Sequence, residues 1–263
     1  MKERFCIDFP YLKFKDSAEE KLRILKNAGF ENVSIDGGGY GDFMPVEEIP
    51  AFADICDKVG IKLINYHPYF MYNNLLWLDT PEKEDVIAQH IKAIYNCGKV
   101  GISTIIIHPT SGPNNLYVSG TGVDSFKRML ESAENNNVTI CLENLRTQKH
   151  NDFLYANIPS EYLGFCHDTG HEFAYNKGMD FPVRYANRMA YTHLHDNNGV
   201  DDQHKLPLTG EIDFERYAML LNEINYTGPL SLEVLHVDKN YADIGYEAYV
   251  NKGFDTLCKV FGE

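Results

Sequence analysis

Basic residues are scarce in this 263-residue sequence: 24 Lys and Arg stand against 38 Asp and Glu, a formal charge of −14. A bare phosphate backbone meets net repulsion from such a chain, which argues against nonspecific nucleic-acid binding. Long apolar runs are missing too. Stretches such as Ile105-Ile106-Ile107 fall far short of the ~18 residues of a membrane helix. The opening MKERFCIDFPYLKF is broken by charges and carries no apolar signal core, so neither an export signal nor a membrane span is expected. Six cysteines (Cys6, Cys56, Cys97, Cys141, Cys166, Cys258) form no CxxC pair. In a chain large enough to be stable without disulfides, they predict reduced thiols in a cytoplasm. No Gly/Ser/Pro linker, low-complexity run or compositional boundary divides the sequence. Gly37-Gly38-Gly39 forms neither a P-loop nor a GxGxxG motif, so a phosphate cradle is not expected there.

What is present is a repeated rhythm. With 44% hydrophobic residues and 24% charged ones, the chain can bury a large core and still cover it. Apolar, β-branched runs of strand length occur at Phe5 to Phe9, Asn32 to Asp36, Lys62 to His67, Ser103 to His108, Val138 to Glu143, Leu163 to Asp168, Met189 to His193 and Leu230 to Val234. Segments with helical spacing separate them. Ser17 to Ala28 has Asp16 as N-cap and Gly29 as stop; the others are Pro45 to Val59, Pro81 to Val100, Asp124 to Ala133, Phe214 to Ile224 and Tyr241 to Phe261. The fifth connection, Arg146 to Ser160, lacks periodicity and predicts a short helix or a loop. Eight β/α units over 1–263 suit one domain of α/β class, a (β/α)8 TIM barrel, although an open doubly wound sheet shares much of the pattern.

The ends of the strands favour the barrel. His67, His108, Glu143, Asp168, His193 and Glu233 close six consecutive strands, and in a parallel barrel these ends form one rim. Residues two positions earlier share their face. Asn65, Ile106, Cys141, Cys166, Tyr191 and Ser231 should therefore lie beneath the ring, with Tyr66, Leu142, Thr192, Leu232 and His167 turned toward the helices. His171, Asp202 and His204 stand in the following loops and extend the set to nine. Four carboxylates and five imidazoles suit one to three divalent ions, with Zn, Mn, Co or Fe preferred over Ca by the nitrogen content. A cation also relieves repulsion, about 4 kcal/mol for two carboxylates 4 Å apart at an effective dielectric near 20. His195 shares the face of His193 and is a candidate either to bind substrate or to support a ligand from behind. His90 and His150 are read as solvated, His236 as a loop residue able to edge the site, and Trp77 as packing rather than the roof of a ligand.

IHP around His108, LEN at Leu142 to Asn144, HDTGH at His167 to His171, HLHDNNG at His193 to Gly199 and DQH at Asp202 to His204 together resemble the xylose isomerase-like TIM barrel superfamily. It includes sugar phosphate isomerases and epimerases and endonuclease IV-like proteins (AP endonuclease family 2). The resemblance implies that Glu143, Asp168, His193 and Glu233 bind one divalent ion, that Glu143 and Glu233 act as acid/base groups, and that His171 contacts substrate or metal. In endonuclease IV the nine-residue set holds three zinc ions and the enzyme cleaves DNA beside abasic sites. Leu145-Arg146-Thr147-Gln148-Lys149 after LEN, and DTGH in place of DTCH, depart from that enzyme. Asn197-Asn198-Gly199-Val200 lacks the arginine that several ketose epimerases carry after the His193 equivalent.

The expected function is a divalent-metal-dependent isomerase or epimerase of a sugar or keto-polyol, free or phosphorylated, with carboxylate proton abstraction next to a metal-polarised carbonyl. An endonuclease IV-like zinc phosphodiesterase is the alternative, and a noncatalytic sugar-binding barrel is a third class. Nucleic acid and membranes are not expected partners; self-association into a homo-oligomer is open.

Overall fold

A computed structural model describes residues 1–36, 44–112 and 117–262 of the chain; Gly37-Gly38-Gly39 lies outside them. Eight parallel strands, each hydrogen-bonded to the next and β8 to β1, close a barrel: β1 Phe5–Phe9, β2 Asn32–Asp36, β3 Lys62–His67, β4 Thr104–Ile107, β5 Thr139–Glu143, β6 Leu163–Asp168, β7 Met189–Leu194 and β8 Leu230–Leu232. The apolar runs are continuous because both faces are covered, one by the barrel interior and one by helices. β1, β6 and β8 are buried at every residue. The fold is therefore the (β/α)8 TIM barrel rather than the open sheet.

The described helices are α1 Tyr11–Phe14, α2 Ala18–Ala28, α3 Ile49–Val59, α4 Lys83–Lys99, α5 Gly120–Asn136, α6 Lys149–Asn157, α7 Thr169–Tyr175, α8 Phe181–Arg184, α9 Phe214–Glu223 and α10 Tyr246–Phe261. None is long and apolar enough to cross a membrane. α2 stops at Gly29, whose φ of 112° suits a residue without a side chain. A Cβ there would also meet the Phe254 ring at 2.6 Å. At its other end Ser17, not Asp16, holds the N-cap position and makes no side-chain cap bond. α10 starts five residues later than the periodicity predicts, after Gly245 at φ 82°.

The fifth connection does contain a helix, α6, and His150 on it is buried against Trp77 with ring centres 4.6 Å apart. His90 is likewise buried, its Nε2 2.9 Å from Asn73 Oδ1. Both histidines thus depart from the solvated reading, because the helices turn them into the interior, His90 toward Asn73 and His150 toward the Trp77 ring. Trp77 is packed, and its Nε1 donates to Pro109 O at 2.6 Å.

Strand alternation runs as the pattern predicts. Ile106, Cys141, Cys166 and Tyr191 pack together inside the barrel, with Tyr191 hydroxyl donating to Ser231 Oγ at 3.2 Å. Tyr66, Leu142 and Leu232 join the core beneath the helices. His167 also faces outward, 2.6 Å from Glu172 Oε2 and 3.1 Å from the Tyr217 hydroxyl. β4 and β8 end just before His108 and Glu233, slightly short of the predicted ends. After β8 the reason is visible: the amides of Val234 and Leu235 donate to Asp8 Oδ1 at 2.9 and 3.0 Å instead of to a strand carbonyl.

Candidate metal centre

The six rim residues converge. Glu143, Asp168, His193 and Glu233 each offer a ligand atom, and these atoms all lie within 4.8 Å of one another. His193 Nδ1 is 3.4 Å from Glu143 Oε2, 3.4 Å from Glu233 Oε2 and 3.9 Å from Asp168 Oδ2. β6 and β7 set this up by placing Asp168 opposite His193 in the ladder. Asp168 is further fixed as the N-cap of α7: its Oδ1 accepts from the His171 amide at 2.6 Å, which leaves Oδ2 for His195 Nε2 at 2.9 Å. Asn144 clamps the same peptide, accepting from Asp168 N at 2.7 Å and donating to Asp168 O at 2.8 Å.

Two further sets flank this one. His67 Nε2 and His108 Nε2 face each other at 3.2 Å and point at Glu143 Oε2 from 3.3 and 3.0 Å. On the other side Asp202 Oδ2 lies 3.2 Å from both His171 Nε2 and His204 Nε2. Glu143 belongs to both the central and the first set, and its Oε1 meets His171 Nδ1 at 3.1 Å. All nine expected ligands therefore line one continuous cluster. His195, the substrate-binding candidate, is fully buried, stacked on His204 with ring centres 3.9 Å apart. With His204 and Glu233 it forms a further group able to hold an ion, and, like Asp168 and His193, it does not line the cavity.

The donor chemistry fits a divalent cation. Donors bonded to one ion at about 2.0 to 2.1 Å stand about 3.0 to 3.4 Å apart, for octahedral and tetrahedral arrangements respectively. The separations around His67 and His108 fall in that interval, as do those of His193 from Glu143 and Glu233, while Asp168 stands farther from His193, at 3.9 Å. One proton cannot serve two imidazole nitrogens and a carboxylate oxygen aimed at a common point. His193 Nδ1 is buried and, among the described residues, receives no hydrogen bond. The charge states of the central carboxylates agree. Burial pushes Glu143 up, but His108, His193 and hydrogen bonds from His108 and His171 outweigh it and hold the carboxyl well below its ordinary range. Burial also opposes ionisation of Asp168, yet His171 and His195 bring it to about 2. Burial pushes His108 and His195 down, which keeps their ring lone pairs available. Burial disfavours His204 and His171 as cations, but Asp202 overcomes this at His204 and raises it to about 9, and Asp168 and Asp202 raise His171 well above its ordinary value, so each must release a proton to ligate an ion.

Some functional residues do not stand out in the sequence. Asp8, at the end of β1, is buried and accepts from the amides of Val234, Leu235 and His236, and its Oδ2 lies 3.3 Å from His236 Nδ1. It thereby anchors the segment that carries Glu233. A carboxylate inside the apolar run FCIDF, two residues after interior-facing Cys6, was the available signal. His236 lines the cavity with its ring 4.3 Å from that of His204. Gly170 has a steric role: a Cβ there would lie 1.9 Å from His195 Cε1. DTGH thus has a local reason, since a side chain at 170 and His195 in this position exclude each other. The cluster sits at the base of a cavity of about 750 Å³, also lined by Phe70, Arg146, Tyr175 and Lys239, a volume typical of small-molecule sites.

Fold and cluster together define a barrel with a polynuclear-capable ligand set at its C-terminal rim. The chain belongs to the xylose isomerase-like TIM barrel family, whose sequence profile matches residues 22–257. Curated relatives include an uncharacterized protein of Methanocaldococcus jannaschii, 24% identical over 217 residues, which are 76% of this chain and 72% of that one. An uncharacterized Sinorhizobium fredii protein is 31% identical over 104 residues; the match spans 37% of this chain and a third of its relative's length. Similar solved structures include a D-tagatose 3-epimerase-like protein (TM-score 0.77, 20% identity, 97% of this chain and 98% of that one). The IolI protein with a bound zinc atom has a TM-score of 0.80 at 16% identity, over 99% of this chain and all of that one. D-psicose 3-epimerase of Clostridium cellulolyticum H10 gives 0.77 at 14%, over 98% of each chain. At these identities the likeness establishes the fold.

Proposed function

We propose that this chain is one barrel domain over 1–263 that isomerises or epimerises a sugar or keto-polyol with the help of a divalent metal. The observation that carries this reading is the convergence of Glu143, Asp168, His193 and Glu233 within 4.8 Å at the base of a small-molecule cavity. The sugar epimerases among the similar structures, and the zinc in IolI, support it. Glu143, Asp168, His193 and Glu233 hold the ion; Zn, Mn, Co and Fe all suit this donor set. A bound divalent cation supplies Lewis-acid polarisation of the substrate carbonyl.

The protein groups then divide the work. Glu143, at the end of β5, and Glu233, just after β8, each come within 3.4 Å of His193 Nδ1. One carboxylate takes the proton from the carbon next to the carbonyl, and the electron pair of that C–H bond passes to the carbonyl oxygen. The other, protonated before the step, gives its proton to the opposite face of that carbon in the planar enediolate and inverts the centre, and exchange with solvent restores the pair. Return by the same group to the neighbouring carbon gives isomerisation. His171, held by Glu143 and Asp202, contacts substrate at the wall of the cavity. The six unpaired cysteines accord with a cytoplasmic setting.

A second reading has its own observation. The sets around His67 and His108, and around Asp202, adjoin the central one, as a multinuclear phosphodiesterase acting on abasic DNA requires. One experiment separates the two: metal counting together with a ketose screen in deuterium oxide. Exchange at the carbon beside the carbonyl supports isomerisation. Cleavage of abasic DNA without exchange on any ketose supports the phosphodiesterase.

A further inference from the structure

The acids that line the cavity are already matched, whereas its arginine and its lysine are not. Asp202 is paired by His171 and His204, and Asp238 by Lys13 and the Tyr241 hydroxyl. Arg146 and Lys239 also line the cavity, on the loops after β5 and β8. Among the described residues neither has a carboxylate within ion-pair distance, although the chain carries a charge of −14. An unpaired arginine on so acidic a surface calls for an explanation.

Arg146 is also held in place. The carbonyl of the preceding Leu145 accepts from Gln148 Nε2 at 3.0 Å and Asn176 Nδ2 at 2.9 Å. The guanidinium lies 4.1 Å from the centre of the Tyr175 ring, and that ring is 5.9 Å from the His171 ring. Stacking fixes the plane of a guanidinium and leaves its N–H edges open for a two-point contact with an oxyanion. The two contacts put Arg146 no more than 10 Å from His171, a distance that a six-carbon chain with a terminal oxyanion can span.

We infer that Arg146 is a specificity-determining residue that binds an anionic group, a phosphate or carboxylate, on the end of the substrate remote from the reacting carbon. Lys239 on the loop after β8 adds to the positive field at the mouth. This deepens the proposed isomerase reading by naming the charge class of its substrate, and it is tested by binding so that the two can fail separately.

The metal-replete protein is titrated calorimetrically with D-glucitol, D-glucitol 6-phosphate and D-gluconate, which cannot undergo the reaction. A charge-assisted two-point contact predicts that one of the anions binds at least tenfold tighter than glucitol. Arg146→Gln, which keeps a polar side chain without the charge, should abolish most of that preference, and Arg146→Lys should restore part of it. Phosphate and carboxylate are told apart by which anion loses more affinity in Arg146→Gln; since gluconate also chelates metals, only the arginine-dependent part counts. Thermal melting of each variant checks that this exposed position leaves folding unaltered. Equal binding of all three compounds, no binding of any, or a preference unchanged in Arg146→Gln would overturn the inference. Anion preference without deuterium exchange on any ketose or ketose phosphate would leave the subsite standing and remove the isomerase reading.

Discussion

Gly170→Ala sets two physical effects against each other. Gly170 is the second residue of α7, where alanine is favoured over glycine by up to about 1 kcal/mol in a helix interior. Helix propensity alone therefore predicts a neutral or stabilised variant. The new methyl, however, would lie 1.9 Å from Cε1 and 2.4 Å from Nδ1 of His195, far inside the ~3.5 Å of an ordinary contact. His195 is fully buried, stacked on His204 and bonded to Asp168 Oδ2 at 2.9 Å, so the ring cannot retreat without breaking that bond. A hydrogen bond to a charged group is worth about 2 kcal/mol, and overpacking costs about 1–3 kcal/mol. After the propensity gain, a net loss of about 3 kcal/mol remains, a fall in Tm of roughly 10 °C for a chain of this size. Asp168 should also lose alignment, lowering metal affinity by about tenfold or more, as typical of lost support around a ligand. Differential scanning calorimetry and competitive chelator titration read both quantities. A variant as stable as the parent, with unchanged metal affinity, would refute the steric argument.

Other perturbations test different parts of the molecule. Glu143→Gln and Glu233→Gln preserve shape and should each lower turnover by at least about 100-fold, the lower end of a general base's contribution; steady-state rates on the identified ketose check this, and near-normal activity in both would remove the acid/base pair. Asp8→Ala orphans the amides of Val234, Leu235 and His236 and should cost about 3 kcal/mol in urea denaturation, with an unchanged midpoint counting against its anchoring role. Burial, reinforced by His67, lowers His90 to about 4. The unfolded chain takes up that proton near pH 6.5 and the folded chain only near 4, so stability is present above pH 6.5 and about 3 kcal/mol is lost on acidification to pH 4. His90→Gln should flatten that part of the stability profile, and an unaltered slope between pH 6.5 and 4 would show that His90 is not its source.

The strands were legible because each is largely buried and reads as a short, mainly apolar run, and the ligand ring because a polar residue at the end of such a run has a fixed place in a parallel barrel. α6 was obscure for the converse reason. Its inward positions include His150 and Asn151, the latter donating to Glu143 O at 3.0 Å, so its buried face is partly polar and leaves little hydrophobic period to detect. His90 hides in the same way, its partner Asn73 lying 17 residues away. Asp8 needed the register of β1 against β8, and the contact between Arg146 and Tyr175 joins the loop after β5 to the last residue of α7, which no local pattern connects. Ring composition could be read from spacing; the supports behind it are tertiary.

Anomalous diffraction from crystals grown with zinc or manganese tests the central claim most directly. The account predicts a peak within about 2.0 to 2.3 Å of ligand atoms from Glu143, Asp168, His193 and Glu233. Saturating metal with no peak among those four side chains, or with ions bound only elsewhere, would contradict it.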